Sequence, residues 1–450
     1  MGIIDRDCEL RYQLFDNNKP EMLIQFTFNN FKCFRSQTTL SLVAADVKHP
    51  LGTTLVYPDY DVLKTAIVYG ANASGKSKLF QAFKFMVDMV YELATDNKSD
   101  WKSKYAPFAL SEDMDENSSN FEVVFVMKGI QYRYGFEVDG NRVLAEWLYR
   151  KKKEERCVLY RDDNGLTYHG TYIKSSIADN LIDAKMIRDD TLFLATLAVW
   201  NDRFANRIIG WFSCCNVLSV TNVSGFSGYS LKKLNTSMKG QILRFMQTAD
   251  FNIEDMSIHE TDTEQIPEEI KNMITSQTGK KAKVIDGVNV IHKTFDRNGL
   301  SHGKTSLWLE RDESYGTYRM FALSAPIIDT LQGGKVLFVD EIDNGLHSDL
   351  LSAIVALFSS PQTNKYGAQL IINTHNRELI NDGRGSFMPD QIWITEKDRF
   401  GEATLKSLMD YRTDTKRSIG EMFREGRFGG IPYLDHFMED VLEKKGDKSK

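Results

Sequence analysis

The stretch Leu63-Lys64-Thr65-Ala66-Ile67-Val68-Tyr69-Gly70-Ala71-Asn72-Ala73-Ser74-Gly75-Lys76-Ser77-Lys78-Leu79-Phe80-Gln81-Ala82-Phe83 decides the fold. A short apolar run ends at Gly70, a loop of small residues follows, and an amphipathic pattern begins at Ser77. That order of strand, loop and helix is the setting in which G-x-x-x-x-G-K-[ST] cradles phosphate. Gly70 and Gly75 permit dihedrals and a close approach that a side chain would block, so successive N–H groups turn inward. The helix start adds the positive end of its dipole, Lys76 reaches β- and γ-phosphates, and the Ser77 hydroxyl ligates Mg²⁺. Gly70, Asn72, Ala73, Ser74, Gly75, Lys76 and Ser77 are therefore the candidate phosphate-binding residues.

Outward from this loop, 450 residues with 42% apolar content suffice for two or three domains, or one domain with a large insertion. A formal net charge of −6 gives no whole-protein field for nucleic acid, and Arg150-Lys151-Lys152-Lys153 reads as a solvated hairpin end. The five cysteines, at 8, 33, 157, 214 and 215, form no C-x-x-C pair, which points to reduced thiols in a cytoplasmic protein. No apolar run is long enough to span a bilayer, the first residues lack a signal-peptide core, and Arg6 stands where a myristoylation signal needs Ser or Thr.

Residues 1–21 read as a flexible leader, and Met22 opens the first β pattern. Asn30-Phe31-Lys32-Cys33-Phe34-Arg35 and Thr38-Thr39-Leu40-Ser41-Leu42 suggest a hairpin ahead of the loop strand, and the loop helix is expected to run to about Leu93. Between residues 121 and 161, four alternating runs predict an antiparallel sheet beside the nucleotide core. Helical periodicity then takes over, so 165–290 is expected to be an inserted, mainly helical lobe with a helix start at Pro267-Glu268-Glu269. Cys214-Cys215 within it reads as two buried thiols.

Lys335-Val336-Leu337-Phe338-Val339-Asp340-Glu341 is an apolar strand ending in two acids, where open α/β sheets place their ligands. Asp340 suits Mg²⁺, and Glu341 suits the polarising of an attacking water. Gln369-Leu370-Ile371-Ile372-Asn373-Thr374-His375 is a second such strand, whose His375 is placed to meet a γ-phosphate or that water. Ser314 and Gly316 precede a helix, which fits both a second anion site and an ordinary helix cap. Pro389-Asp390 followed by Glu396-Lys397 suggests a nuclease site only loosely, because the acid and lysine are adjacent, and a hairpin strand explains the segment better.

The order of Gly70 to Ser77, Ser314-Tyr315-Gly316, Val336 to Glu341, Asp343-Asn344-Gly345-Leu346-His347 and Thr374-His375 resembles an ABC-type ATPase, with Walker A, signature, Walker B, D-loop and switch histidine. The opening Asn30-Phe31-Lys32-Cys33-Phe34 is similar to the SMC and OLD branch. Glu313-Ser314-Tyr315-Gly316-Thr317-Tyr318-Arg319 and Gly426-Arg427-Phe428-Gly429-Gly430-Ile431-Pro432 look like the standalone AAA/ABC-type ATPases of prokaryotic defence islands, including PARIS-type anti-phage ATPases. Two features depart from the transporter pattern: Tyr315 replaces a glycine, and no Gln takes a Q-loop position.

The resemblance implies an α/β fold with an ABC-type P-loop core, an antiparallel β subdomain and a helical insertion. It divides the chain into 22–164 and 291–412 as the two parts of the core, 165–290 as the insertion and 413–450 as a tail. It also implies slow or regulated ATP hydrolysis with Mg²⁺, with Lys76, Glu341 and His375 as catalytic residues. Composite sites would form in a homodimer or higher oligomer, Lys76 and Ser77 of one copy facing Ser314 and Gly316 of another. The expected role is control of a separate effector, such as a nuclease encoded nearby, in answer to a phage-derived trigger. A DNA-repair or DNA-end-binding ATPase is the alternative, and a transporter subunit ranks third.

Overall fold

The structure, a computed structural model, describes residues 21–95, 99–110, 118–219, 223–249, 252–261, 284–376, 378–381, 387–411 and 419–428. Its centre is the strand Thr65–Gly70, buried at every position. The parallel strands Gln369–Asn373 and Ile392–Lys397 flank it. Val336–Val339 and then Cys215–Leu218 extend one side, and Ala403–Ser407 closes the other edge antiparallel. Strands covered on both faces are apolar throughout, and alternate residues here serve opposite cores. Ala66, Val68, Val336 and Phe338 face one, while Ile67, Tyr69, Leu337 and Val339 face the other. On the first face the helix Lys76–Thr95 stacks Phe83 on Phe338 with ring centroids 4.2 Å apart. The second core includes residues of the helices Tyr315–Gly333 and Ser348–Ser359.

The parallel register brings the functional ends together. Val339 pairs with Ile372, and Ile372 with Ile67, so the strand ends at Asp340, Asn373 and Gly70 emerge on one edge.

A second sheet of seven antiparallel strands lies beside this core. Its outermost strands are Thr38–Ser41 at one end and Gly165–Tyr168 at the other. The hairpin expected from 30–35 and 38–42 is not formed. Thr38–Ser41 pairs instead with Met22–Phe28, and residues 30–35 make the connecting turn, closed by hydrogen bonds between Phe31 and Phe34. Asn30 and Lys32 take positive φ there, which an extended strand excludes.

The stretch 165–290 is not helical throughout. Its described residues form five helices between Ser175 and Ala249. It also supplies the core strand Cys215–Leu218 and the strand Ile253–Thr261, which joins Val284–Phe295 and Ser301–Trp308 in a three-stranded antiparallel sheet. A four-residue strand after an amphipathic helix carries too short a pattern to announce itself. Cys214 is partly buried, and Cys215 is buried as a free thiol. The leader, the helix start at Pro267 and the tail beyond Phe428 lie outside the described residues. Among the described residues no helix is long and apolar enough to cross a membrane.

Candidate functional site

The loop between Gly70 and the helix at Lys76 is a tight cradle. A Cβ at Gly70 would collide with Ser74 Oγ and Thr395 Oγ1, so glycine is required by space. Ala73 and Gly75 take positive φ, 63° and 113°, which turns successive N–H groups to the concave side. Thr395 Oγ1 donates to the Tyr69 carbonyl at 3.2 Å and meets Ser74 Oγ at 2.6 Å, pinning the loop to the neighbouring strand. The turn 30–35 supports it from outside, since a Cβ at Gly75 would lie 3.2 Å from Cys33 Sγ. Burial and the charge of Lys78 together lower the pKa of Lys32 in that turn.

Lys76 is buried and curls back over the cradle, its Nζ donating to the Gly70 and Ala71 carbonyls at 2.8 and 2.9 Å. Burial lowers its pKa to about 8, against the pull of Glu341, Asp340 and Asp343. The same surroundings hold the exposed His375 imidazole below its usual range, through desolvation first and the Lys76 ammonium second.

Asp340 is buried at the end of its strand, and Glu341 follows in a left-handed conformation with φ 47°. For a residue with a side chain that conformation costs about 1–3 kcal/mol unless its surroundings hold it. Asn373 supplies such a hold: its Nδ2 donates to Asp340 Oδ1 and its Oδ1 accepts from the Glu341 N–H, both at 2.5 Å. Arg319, fully buried on the helix Tyr315–Gly333, directs Nη2 to the carbonyls of Asp340 and Glu341 at 3.5 and 3.4 Å. Its Nε and Nη1 have no hydrogen-bond partner among the described residues. Asp343 Oδ2 accepts from the His375 N–H at 3.1 Å, while Oδ1 is buried without a hydrogen-bond partner among the described residues.

Ser314 caps the helix Tyr315–Gly333, its Oγ accepting from the Thr317 N–H at 3.1 Å. A Cβ at Gly316 would stand 2.8 Å from the Gly345 carbonyl oxygen, and the Tyr315 ring covers Gly345. The segment after the acids and the start of this helix are thus packed together, while Ser314 and Tyr315 remain exposed. Among the described residues, neither Ser314 nor Gly316 hydrogen-bonds the loop 70–77.

Residues 66–381 match the family described as "AAA domain, putative AbiEii toxin, Type IV TA system". The chain belongs to that family. Two solved structures are similar to this AAA protein. One is an SMC head bound to the C-winged helix domain of ScpA, with TM-score 0.44, 13% identity and coverage of 86% of this chain and 99% of that one. The other is the SMC head domain from Thermotoga maritima, with TM-score 0.38, 13% identity and coverage of 86% and 98%. No curated protein matches the chain.

Within this AAA domain, Gly70, Asn72, Ala73, Ser74, Gly75, Lys76 and Ser77 share one edge with Asp340, Glu341 and His375, while Ser314 and Gly316 stand apart from the cradle. Sequence reading gave no role to Asn373, Arg319 or Thr395. The available signal for Asn373 was an amide at the end of an otherwise apolar run, since a buried amide must be paired. Arg319 offered a similar one, a cation among apolar helix positions.

Proposed function

We propose that this AAA protein binds and hydrolyses ATP with Mg²⁺ at sites shared between two copies, and acts in the cytoplasm as a sensor or scaffold in anti-phage defence, controlling a separate effector. The observation that carries the nucleotide reading is the buried Lys76 ammonium, bonded to carbonyls of its own cradle and facing three acids. Carbonyl partners can be exchanged for phosphate oxygens without leaving the cation unpaired.

The residues fit ATP and Mg²⁺. The cradle is one that a Cβ at Gly70 would fill, and Asp340 offers a buried carboxylate on the same strand edge. Mg²⁺, when bound, would supply charge neutralisation at the phosphates, and Ser77 and Asp340 are the residues that would hold it. The N–H groups of Asn72 to Ser77 and Lys76 Nζ bind the phosphates. Glu341 orients a water and takes its proton, and His375, whose charged form is disfavoured by desolvation and by Lys76, donates a hydrogen bond to the γ-phosphate. The exposed Ser314 hydroxyl and the Gly316 backbone would complete the cradle of a second copy.

The defence role rests on the toxin–antitoxin wording of the matched family and on the order of motifs. Every assigned motif handles nucleotide, so the output falls to a second protein, such as a nuclease encoded nearby. The helices between Ser175 and Ala249 and the segment from Arg424 are the surfaces to test for holding it.

Two experiments test the proposal. Purified protein should release phosphate from ATP only with Mg²⁺, and Lys76→Ala should abolish this; metal-independent release, or release by Lys76→Ala, contradicts the ATPase reading. Cells carrying this gene with its genomic neighbour should survive phage challenge, whereas the gene alone, or the pair with Lys76→Ala, should not. Full protection by the gene alone contradicts the separate effector.

A further inference from the structure

We propose that Asn373 is a positioning residue that sets both acids of the site, an inference that rests on the ATPase reading. Three groups of this one residue engage three successive residues beyond the neighbouring strand. Nδ2 donates to Asp340 Oδ1, Oδ1 accepts from the Glu341 N–H, and the Asn373 carbonyl accepts from the Ile342 N–H at 3.2 Å. Asn373 is fully buried, and its own backbone is fixed by the parallel ladder, in register with Val68.

An amide is suited to this place because it carries a donor and an acceptor together. A carboxylate would face Asp340 with like charge, and an apolar side chain would strand the Glu341 N–H. Donation to Oδ1 engages one oxygen of Asp340, while Oδ2 accepts from the Ser219 hydroxyl at 3.5 Å and keeps a second lone pair for a cation. Acceptance from the Glu341 N–H holds that residue at φ 47°, a conformation that a continuing strand would not take. Two residues on, the His375 N–H binds Asp343 Oδ2, so the end of one strand grips both ends of the turn from Asp340 to Asp343.

The test uses Asn373→Ala, which removes both contacts, and Asn373→Asp, which keeps the shape and the acceptor but loses the donor. Loss of a group supporting a metal ligand typically costs about 10–100-fold in metal affinity or activity. Asn373→Ala should lower kcat by that order while nucleotide affinity in EDTA stays at the wild-type value. Electron paramagnetic resonance with Mn²⁺ and a non-hydrolysable ATP analogue should show weaker Mn²⁺ binding. Asn373→Asp should also lose kcat per folded molecule, which separates positioning from folding. In a Glu341→Gln background, Asn373→Ala should cause a smaller further loss of turnover than in the wild type, because part of its effect on rate passes through Glu341 and the rest through Asp340.

Wild-type kcat and wild-type Mn²⁺ affinity in Asn373→Ala would overturn the proposal. A loss confined to melting temperature and active fraction, with full kcat per folded molecule, would overturn it as well. If the wild-type protein hydrolyses no ATP, the ATPase reading fails by itself, and the Mn²⁺ measurement still decides whether Asn373 positions Asp340.

Discussion

The cradle at residues 70–77 and the helix start at 314–316 are made of the same parts: a hydroxyl, a glycine and a helix N-terminus. In the first, Lys76 and Ser74 are buried and hydrogen-bonded, and two acids lie on the same strand edge. In the second, Ser314 and Tyr315 face solvent, and among the described residues the serine hydroxyl is engaged only by its own helix, through the Thr317 N–H and hydroxyl. Under the proposed function, equal chemistry with unequal burial would assign the reaction to the first and the recognition of a second copy to the second. The contact between Gly316 and the Gly345 carbonyl and the reach of Arg319 to the backbone of the acids join the two regions within one chain.

The largest expected effect falls on the sealed region. Glu341→Gln should lower turnover by about 10²–10⁴-fold, the usual contribution of a positioned base, while nucleotide binding persists in an equilibrium fluorescence assay. Unchanged turnover would remove Glu341 from the chemistry and leave the two regions equivalent. Next in size, Gly316→Ala inserts a Cβ 2.8 Å from a backbone oxygen. Overpacking of this kind costs about 1–3 kcal/mol, to be read as a lower midpoint in urea, and it should weaken ATP-dependent association more than nucleotide binding.

A smaller effect follows from Lys76. Its pKa of about 8 in the free protein means that above this pH the amine must regain a proton to bind phosphate. Apparent ATP affinity should therefore fall as pH rises from 8 to 9.5, by up to about tenfold per unit, and be flat from 6.5 to 7.5. The fall should vanish in Lys76→Ala. The linked stability runs the opposite way: a depressed lysine pKa opposes folding below about 8 and ceases to do so above the unfolded value, so this contribution to stability rises with pH while ATP affinity falls.

Much of this was legible in sequence because parallel core strands are continuous apolar runs, and the polar residue that ends each run marks the ligand edge. Gly70, Asp340, Glu341 and His375 were picked out that way, and the register brings them to one edge. What escaped was whatever depends on pairing across distance. The partner of Thr38–Ser41 proved to be Met22–Phe28, and nothing in either pattern names the other. Cys215–Leu218 was hidden behind the strong amphipathic helix Arg203–Phe212. Asn373 and Arg319 acquire meaning only when Asp340 and Glu341 arrive beside them from another strand.

The most direct test of the division between a reacting region and a recognising one is to mix two inactive variants, Lys76→Ala and Ser314→Arg. Each alone should be nearly inactive in ATP hydrolysis. In a mixed pair, both defects fall in one shared site and the other site is intact, so equal mixing should restore about a quarter of the wild-type rate under random pairing. Light scattering should show ATP-dependent pairs in the same samples. No recovery at any mixing ratio, with both chains folded and pairing, would contradict sites shared between copies.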